Sequence, residues 1–122
     1  MTVRKFFIGH KENYLHVKIS LMQFLYILSL RPHFQDLNNW TEETNAIQSA
    51  HFNYLKGLFE QGIMKHVGHT DMPFDHEDLH GYAVFETETE EQAQHIMQND
   101  PAVKGQLMTA RLLPYVVVFQ AG

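Results

Sequence analysis

The stretch Thr41 to Gly62 (TEETNAIQSAHFNYLKGLFEQG) is the longest helical pattern in the chain. Ile47, His51, Tyr54, Leu55 and Leu58 recur at spacings of three and four, so they share one face of a helix. At about 100° per residue His51 lies near the middle of that apolar stripe. A helix that turns this face to a sheet carries an imidazole into the interior. The pattern has clear ends. Asn39 or Thr41 can cap its start, with Glu42 three residues after Asn39 as in a capping box, and Gly62 suits a left-handed C-terminal position.

The flanking segments supply the sheet. Met22 to Arg31 (MQFLYILSLR) is nearly continuous in apolar and aromatic residues and is bounded by Pro32, which predicts a central strand with both faces buried. After the helix, Ile63 to Val67 reads as a short second strand. Gly68 to His80 (GHTDMPFDHEDLH) is turn-rich, and Gly81 to Thr87 (GYAVFET) is a third strand. Thr89-Glu90-Glu91-Gln92 is a capping box that opens a short helix with Ala93, Ile96 and Met97 on one face, stopped by Asn99-Asp100-Pro101. Thr109 to Phe119 is a fourth strand containing Pro114, which implies an edge position or a bulge. The order β-α-β-β-α-β specifies an α+β, ferredoxin-like fold: a four-stranded antiparallel sheet with two helices on one face. The other face stays bare, and an apolar bare face marks an association surface. A homodimer, sheet to sheet about a two-fold axis, is the simplest closed solution.

Residues 1–21 fall outside this order. Leu15, Val17, Ile19 and Leu21 alternate with polar residues, so the segment is either an extra edge strand or an extension ahead of a domain spanning 22–122.

Composition narrows the function. With 122 residues the chain can bury one proper core. It has no cysteine, which removes disulfides, thiolate zinc sites and thiol nucleophiles. The net charge of −5 divides into +3 over residues 1–21 and −8 over the rest, and an acidic body argues against nucleic acid as a partner. No apolar run approaches the ~20 residues of a membrane span. The run Phe6-Phe7-Ile8 is too short for a signal peptide, so a cytoplasmic protein is expected. No dinucleotide or Walker loop occurs, and no cofactor is expected. Ser29 and Ser49 lack a nucleophile elbow, which leaves acid/base chemistry ahead of covalent catalysis. His66, His69, Asp71, Asp75, His76, Asp78 and His80 are metal-ligand types, but the plainer reading is a solvated acidic turn, and no metal site is expected.

Three segments resemble a known family: Ala50 to Gly68 (AHFNYLKGLFEQGIMKHVG), Gly81 to Glu86 (GYAVFE) and Gln98 to Lys104 (QNDPAVK). Together they are similar to the YciI-like (YCII-related) family over roughly residues 22–119. The resemblance implies a ferredoxin-like fold in dimers of the dimeric α/β-barrel type. It also implies an active site at a first-helix histidine and an aspartate after the second helix, here His51 and Asp100. Where the family commonly has Ala-Gly-Arg or Ala-Gly-Pro, this chain has Val67-Gly68-His69. The implied function is cofactor-independent lyase, isomerase or dehydrohalogenase chemistry on a small cyclic or aromatic metabolite. A non-catalytic ligand-binding or sensing module is the alternative. An imidazole held by a carboxylate on one nitrogen is fixed in tautomer and orientation, and its other nitrogen can exchange a proton with a substrate. The alternative for the pair is a satisfied core histidine beside an aspartate that only caps a turn. Arg31, His69 and Tyr82 are the candidate substrate contacts, Arg31 either as an anion binder or as one half of a surface ion pair. Phe24, Tyr26 and Phe85 are candidate pocket walls or plain core.

Overall fold

The computed structural model describes residues 2–7 and 14–122, with only the backbone described up to residue 19. Strands β1 (Thr2–Phe7) and β2 (Tyr14–Ile19) pair antiparallel with each other. They make a two-stranded sheet of their own, so β2 is not an edge of the main sheet.

The main sheet is built from β3 (Met22–Leu30), β4 (Met64–His69), β5 (Gly81–Thr87) and β6 (Met108–Pro114), in the order β4-β5-β3-β6. All three pairings are antiparallel, and the long apolar run β3 lies inside, between β5 and β6. Helices α1 (Glu42–Glu60), α2 (Glu90–Gln98) and the short α3 (Pro101–Lys104) complete the ferredoxin-like α+β order.

Local chemistry explains each end of α1. The Thr41 side chain accepts from the Thr44 backbone N–H, and the Thr41 N–H donates back to Thr44 Oγ1, a reciprocal cap. At the other end Gly62 takes φ +78°, which only glycine adopts without strain. There the Gly62 N–H donates to Phe59 O and the Ile63 N–H donates to Leu58 O. That pair of bonds is the Schellman closure, and it aims the chain straight into β4. Thr89 and Gln92 form the expected capping box of α2.

Strand parity sets the core. Phe24, Tyr26 and Leu28 of β3 face α1 and α2 and are buried with Leu55, Met64, Ala83, Phe85, Ala93 and Met97. Tyr26 and Phe85 meet edge to face at 5.6 Å. Leu25 and Ile27, on the opposite face of β3, are only half-buried in the single chain. The expectation of burial on both faces therefore holds for one.

Two strands end elsewhere than the sequence suggests. Strand β4 begins at Met64, because Ile63 belongs to the helix closure, and it runs on to His69 with an irregularity between Met64 and His66. Strand β6 stops at Pro114, opposite Phe24, rather than reaching Phe119. Proline has no N–H to extend the ladder. Beyond it Tyr115 N–H donates to Gln23 O and Val117 N–H to Gln23 Oε1, while Val116, Val118 and Phe119 are exposed.

Candidate active site

His51 reaches the interior because α1 lays one face on the sheet. It is buried one turn before Leu55, and its ring meets a residue far along the chain. Asp100, 0% exposed, is the N-cap of α3, and its Oδ1 accepts from the Ala102 backbone N–H at 2.9 Å. The same oxygen lies 2.6 Å from His51 Nδ1. The other oxygen, Oδ2, accepts from the Tyr26 hydroxyl at 2.9 Å. The two roles considered for Asp100, turn cap and histidine partner, are thus carried by one carboxylate.

Three groups converge on Asp100, and all three can donate. A carboxylate with donors on both oxygens acts as an acceptor only. His51 Nδ1 therefore carries a proton toward Asp100, and in the neutral ring Nε2 holds the lone pair. No described residue is hydrogen-bonded to Nε2. Neighbouring phenols record the same environment. Burial, with the charge of Asp100 second, pushes the Tyr26 hydroxyl well above its ordinary value and that of Tyr54 up to about 12. Both stay protonated near neutral pH. Tyr54 donates to Ile96 O at 2.7 Å, which ties α1 to α2 beside the pair.

His51 lies in the wall of a cavity of about 490 Å³, within the size range of small-molecule sites. The floor is the α1-facing side of the sheet, with Leu28 and Met108, and α1 supplies Gln48, Phe52 and Leu55. The segment before α1 and the loop between β4 and β5 close the remaining side. Trp40 and Phe74 join these two segments edge to face at 5.5 Å, and both line the cavity. Trp40 is held by its indole N–H, which donates to Phe34 O.

Of the substrate contacts expected from sequence, His69 lines this cavity. Its Nδ1–H donates to Thr70 O, so the lone pair of the neutral ring is on Nε2. Tyr82 also borders the cavity, but it pairs with Ile27, so its side chain belongs to the sheet face turned away from α1. The ring contact of Tyr82 with His80, and the hydrogen bond between Ser29 Oγ and His80 Nδ1, lie on that same side. Arg31 is not brought to the cavity. It is exposed just past the end of β3, where Pro32 turns the chain away. Its backbone N–H donates to Leu107 O. Among the described residues no group of three or more His, Asp or Glu is placed to hold a metal ion, and no helix is long and apolar enough to cross a membrane.

Sequence reasoning missed two members of the site. Tyr26 reads in the sequence as a pocket wall or plain core, and only the position of α3 over β3 brings its hydroxyl to Asp100. Gln48 carries no signal in the sequence beyond its place within α1. It stands three residues before His51, and its Oε1 is the one buried side-chain polar atom among the described residues without a hydrogen-bond partner.

Comparison with known proteins agrees with this architecture. A search of curated proteins finds no match. Among solved structures, the chain resembles 5-chloro-2-hydroxyhydroquinone dehydrochlorinase from Burkholderia phenoliruptrix AC1100, determined in complex with 2,5-dihydroxybenzoquinone. The TM-score is 0.58 at 20% identity, over 78% of this chain and 94% of that one, a likeness of fold. The family model of the YCII-related domain matches residues 22–114, most of the chain and the whole of the four-stranded sheet with its helices. On that match the chain belongs to the YCII-related domain family.

Proposed function

We propose that this protein is a small cytoplasmic acid/base enzyme acting on a cyclic or aromatic metabolite, with His51 as the proton-transferring group and Asp100 as its orienting partner. One observation carries the reading: His51 gives Nδ1 to a fully buried carboxylate at 2.6 Å while its ring lines a ligand-sized cavity. Nε2 takes a proton from a substrate hydroxyl or from a carbon beside a carbonyl. The electron pair of the broken bond stays on the substrate, where it forms an enolate or expels a leaving group from a neighbouring carbon. The imidazolium so formed faces Asp100, whose charge stabilises it without accepting the proton. It then returns the proton to the substrate or to water. Lyase, isomerase and dehydrohalogenase reactions all share this step. That a protein of the same fold is a dehydrochlorinase of a chlorinated hydroxyhydroquinone supports the last of these.

His69 stands in the same cavity as a candidate substrate contact. The bare sheet face, with half-buried Leu25, Ile27, Tyr82 and Leu113, supports a homodimer through that face. The test is turnover of a panel of hydroxylated and halogenated ring compounds, read as chloride release and as deuterium uptake from solvent. His51→Gln is expected to abolish both while the fold is kept. A variant that still turns over would overturn the assignment. Ligand binding by the wild type with no turnover of any compound would favour the sensing module instead.

A further inference from the structure

The cavity has no Lys, Arg or carboxylate in its lining. Asp100 is sealed behind His51 with its oxygens taken by His51, Ala102 and Tyr26. Arg31, the candidate anion binder, lies outside the cavity and is exposed. The wall is instead aromatic and aliphatic, with Trp40, Phe52 and Phe74 beside Leu28, Leu55 and Met108. The remaining polar side-chain groups are the imidazoles of His51, His69 and His80, the amide of Gln48, the Tyr82 hydroxyl, and the Trp40 indole N–H, which already donates to Phe34 O. A carboxylate or phosphate placed here loses its hydration and meets no counter-ion, a cost that an aromatic wall does not offset. The acidic body of the protein, at −8 outside the first 21 residues, adds a long-range field that repels anions.

We infer that the site selects an uncharged, hydroxylated planar ring and rejects the carboxylated or phosphorylated form of the same ring. The aromatic side chains supply edge and face contacts for a ring. Gln48, one turn from His51 and with an unpartnered carbonyl, supplies the amide that a ring hydroxyl would satisfy. A negative charge is tolerated only where proton transfer creates it, beside the imidazolium of His51. This selectivity rests on the proposed proton-transfer site for its location, but it is read as binding and not as turnover.

The test uses a matched pair of ligands, methyl 2,5-dihydroxybenzoate and 2,5-dihydroxybenzoate, titrated into the full chain at pH 8 without oxygen. Calorimetry gives the affinity, and Trp40, the single tryptophan, reports occupancy by its fluorescence. The ester is expected to bind at least tenfold more tightly than the acid, in the wild type and in His51→Gln alike. A cation added to the wall should narrow that gap. Val67→Lys and Met72→Lys serve independently, since both residues line the cavity and are 41% exposed. Equal or tighter binding of the acid, binding of neither ligand, or no narrowing in either lysine variant overturns the inference. Loss of turnover in His51→Gln with the ester preference intact supports both readings. An ester preference that fails while His51-dependent turnover survives refutes this one alone.

Discussion

Replacing Tyr26 with Phe removes one oxygen atom and leaves the rest of the ring in place. Tyr26 is 0% exposed, and among the described residues its hydroxyl is the one group hydrogen-bonded to Oδ2 of the buried Asp100. A hydrogen bond to a charged group contributes about 1.5–3 kcal/mol, and here the abandoned partner stays buried. A loss of about 2 kcal/mol near neutral pH is expected, or a fall in Tm of about 6–12 °C for a domain of this size. The pH dependence adds a sign that a simple packing defect lacks. The folded-state pKa of Tyr26 is raised above its ordinary value of 10.0. Its contribution to stability is therefore fully present below about pH 10 and is lost as pH rises beyond it, because the unfolded chain releases the proton first. The wild type loses about 1.4 kcal/mol from this source by pH 11, and the variant does not. The gap between the two should shrink from about 2 kcal/mol at pH 8 to about 0.6 kcal/mol at pH 11. Urea unfolding followed by circular dichroism at the two pH values measures it. A variant as stable as the wild type at pH 8, or a gap that widens at pH 11, would refute the reading of Tyr26 as a donor to an ionised Asp100.

Other perturbations test separate links. Asp100→Asn keeps the volume but not the charge, and one face of its amide must present N–H groups where only donors now converge. Once a substrate is in hand, turnover should fall about 10²–10⁴-fold with KM little changed. Gly105→Ala puts a Cβ 2.8 Å from Pro101 O and 2.9 Å from Ile47 Cδ1, where α3 approaches α1. Backbone cannot yield there, so a loss of about 1–3 kcal/mol is expected by denaturant titration. Gln48→Leu relieves the unpartnered amide, so stability should hold or rise slightly. Its affinity for a dihydroxylated ring should fall about tenfold by calorimetry, with a ring lacking hydroxyls unaffected.

The parts of the fold legible in the sequence are those where one period or one cap decides. The 3.6-residue stripe of α1, the Thr89/Gln92 box and the glycine at 62 each have a single physical solution, and each appears in the structure. Burial of His51 was legible for the same reason: its position in the stripe allows no other direction. The end of β6 was not, because the valine-rich run after Pro114 has strong strand propensity. What fails there is the ladder, for want of an N–H at the proline. The facing of Tyr82 depends on the register of β5 against β3, which pairwise contacts set and local pattern does not. Tyr26 and Phe24 are indistinguishable as members of an apolar run. Only the position of α3 makes one of them a hydrogen-bond donor to the site. Arg31 follows the end of β3, and the turn that starts at Pro32 leaves it exposed and outside the cavity lining, a placement that local pattern does not reveal.

The measurement that reaches the site most directly needs no substrate. Nitrogen-15 chemical shifts of the imidazoles, assigned with His51→Gln, report which ring nitrogen of His51 bears the proton in the neutral form. The hydrogen bond from Nδ1 to Asp100 requires the proton on Nδ1 and a lone pair on Nε2 at the cavity, the less common tautomer in solution. That state should be seen in the wild type. A neutral His51 protonated on Nε2 in the wild type would contradict the assignment of His51 as a base poised toward the cavity.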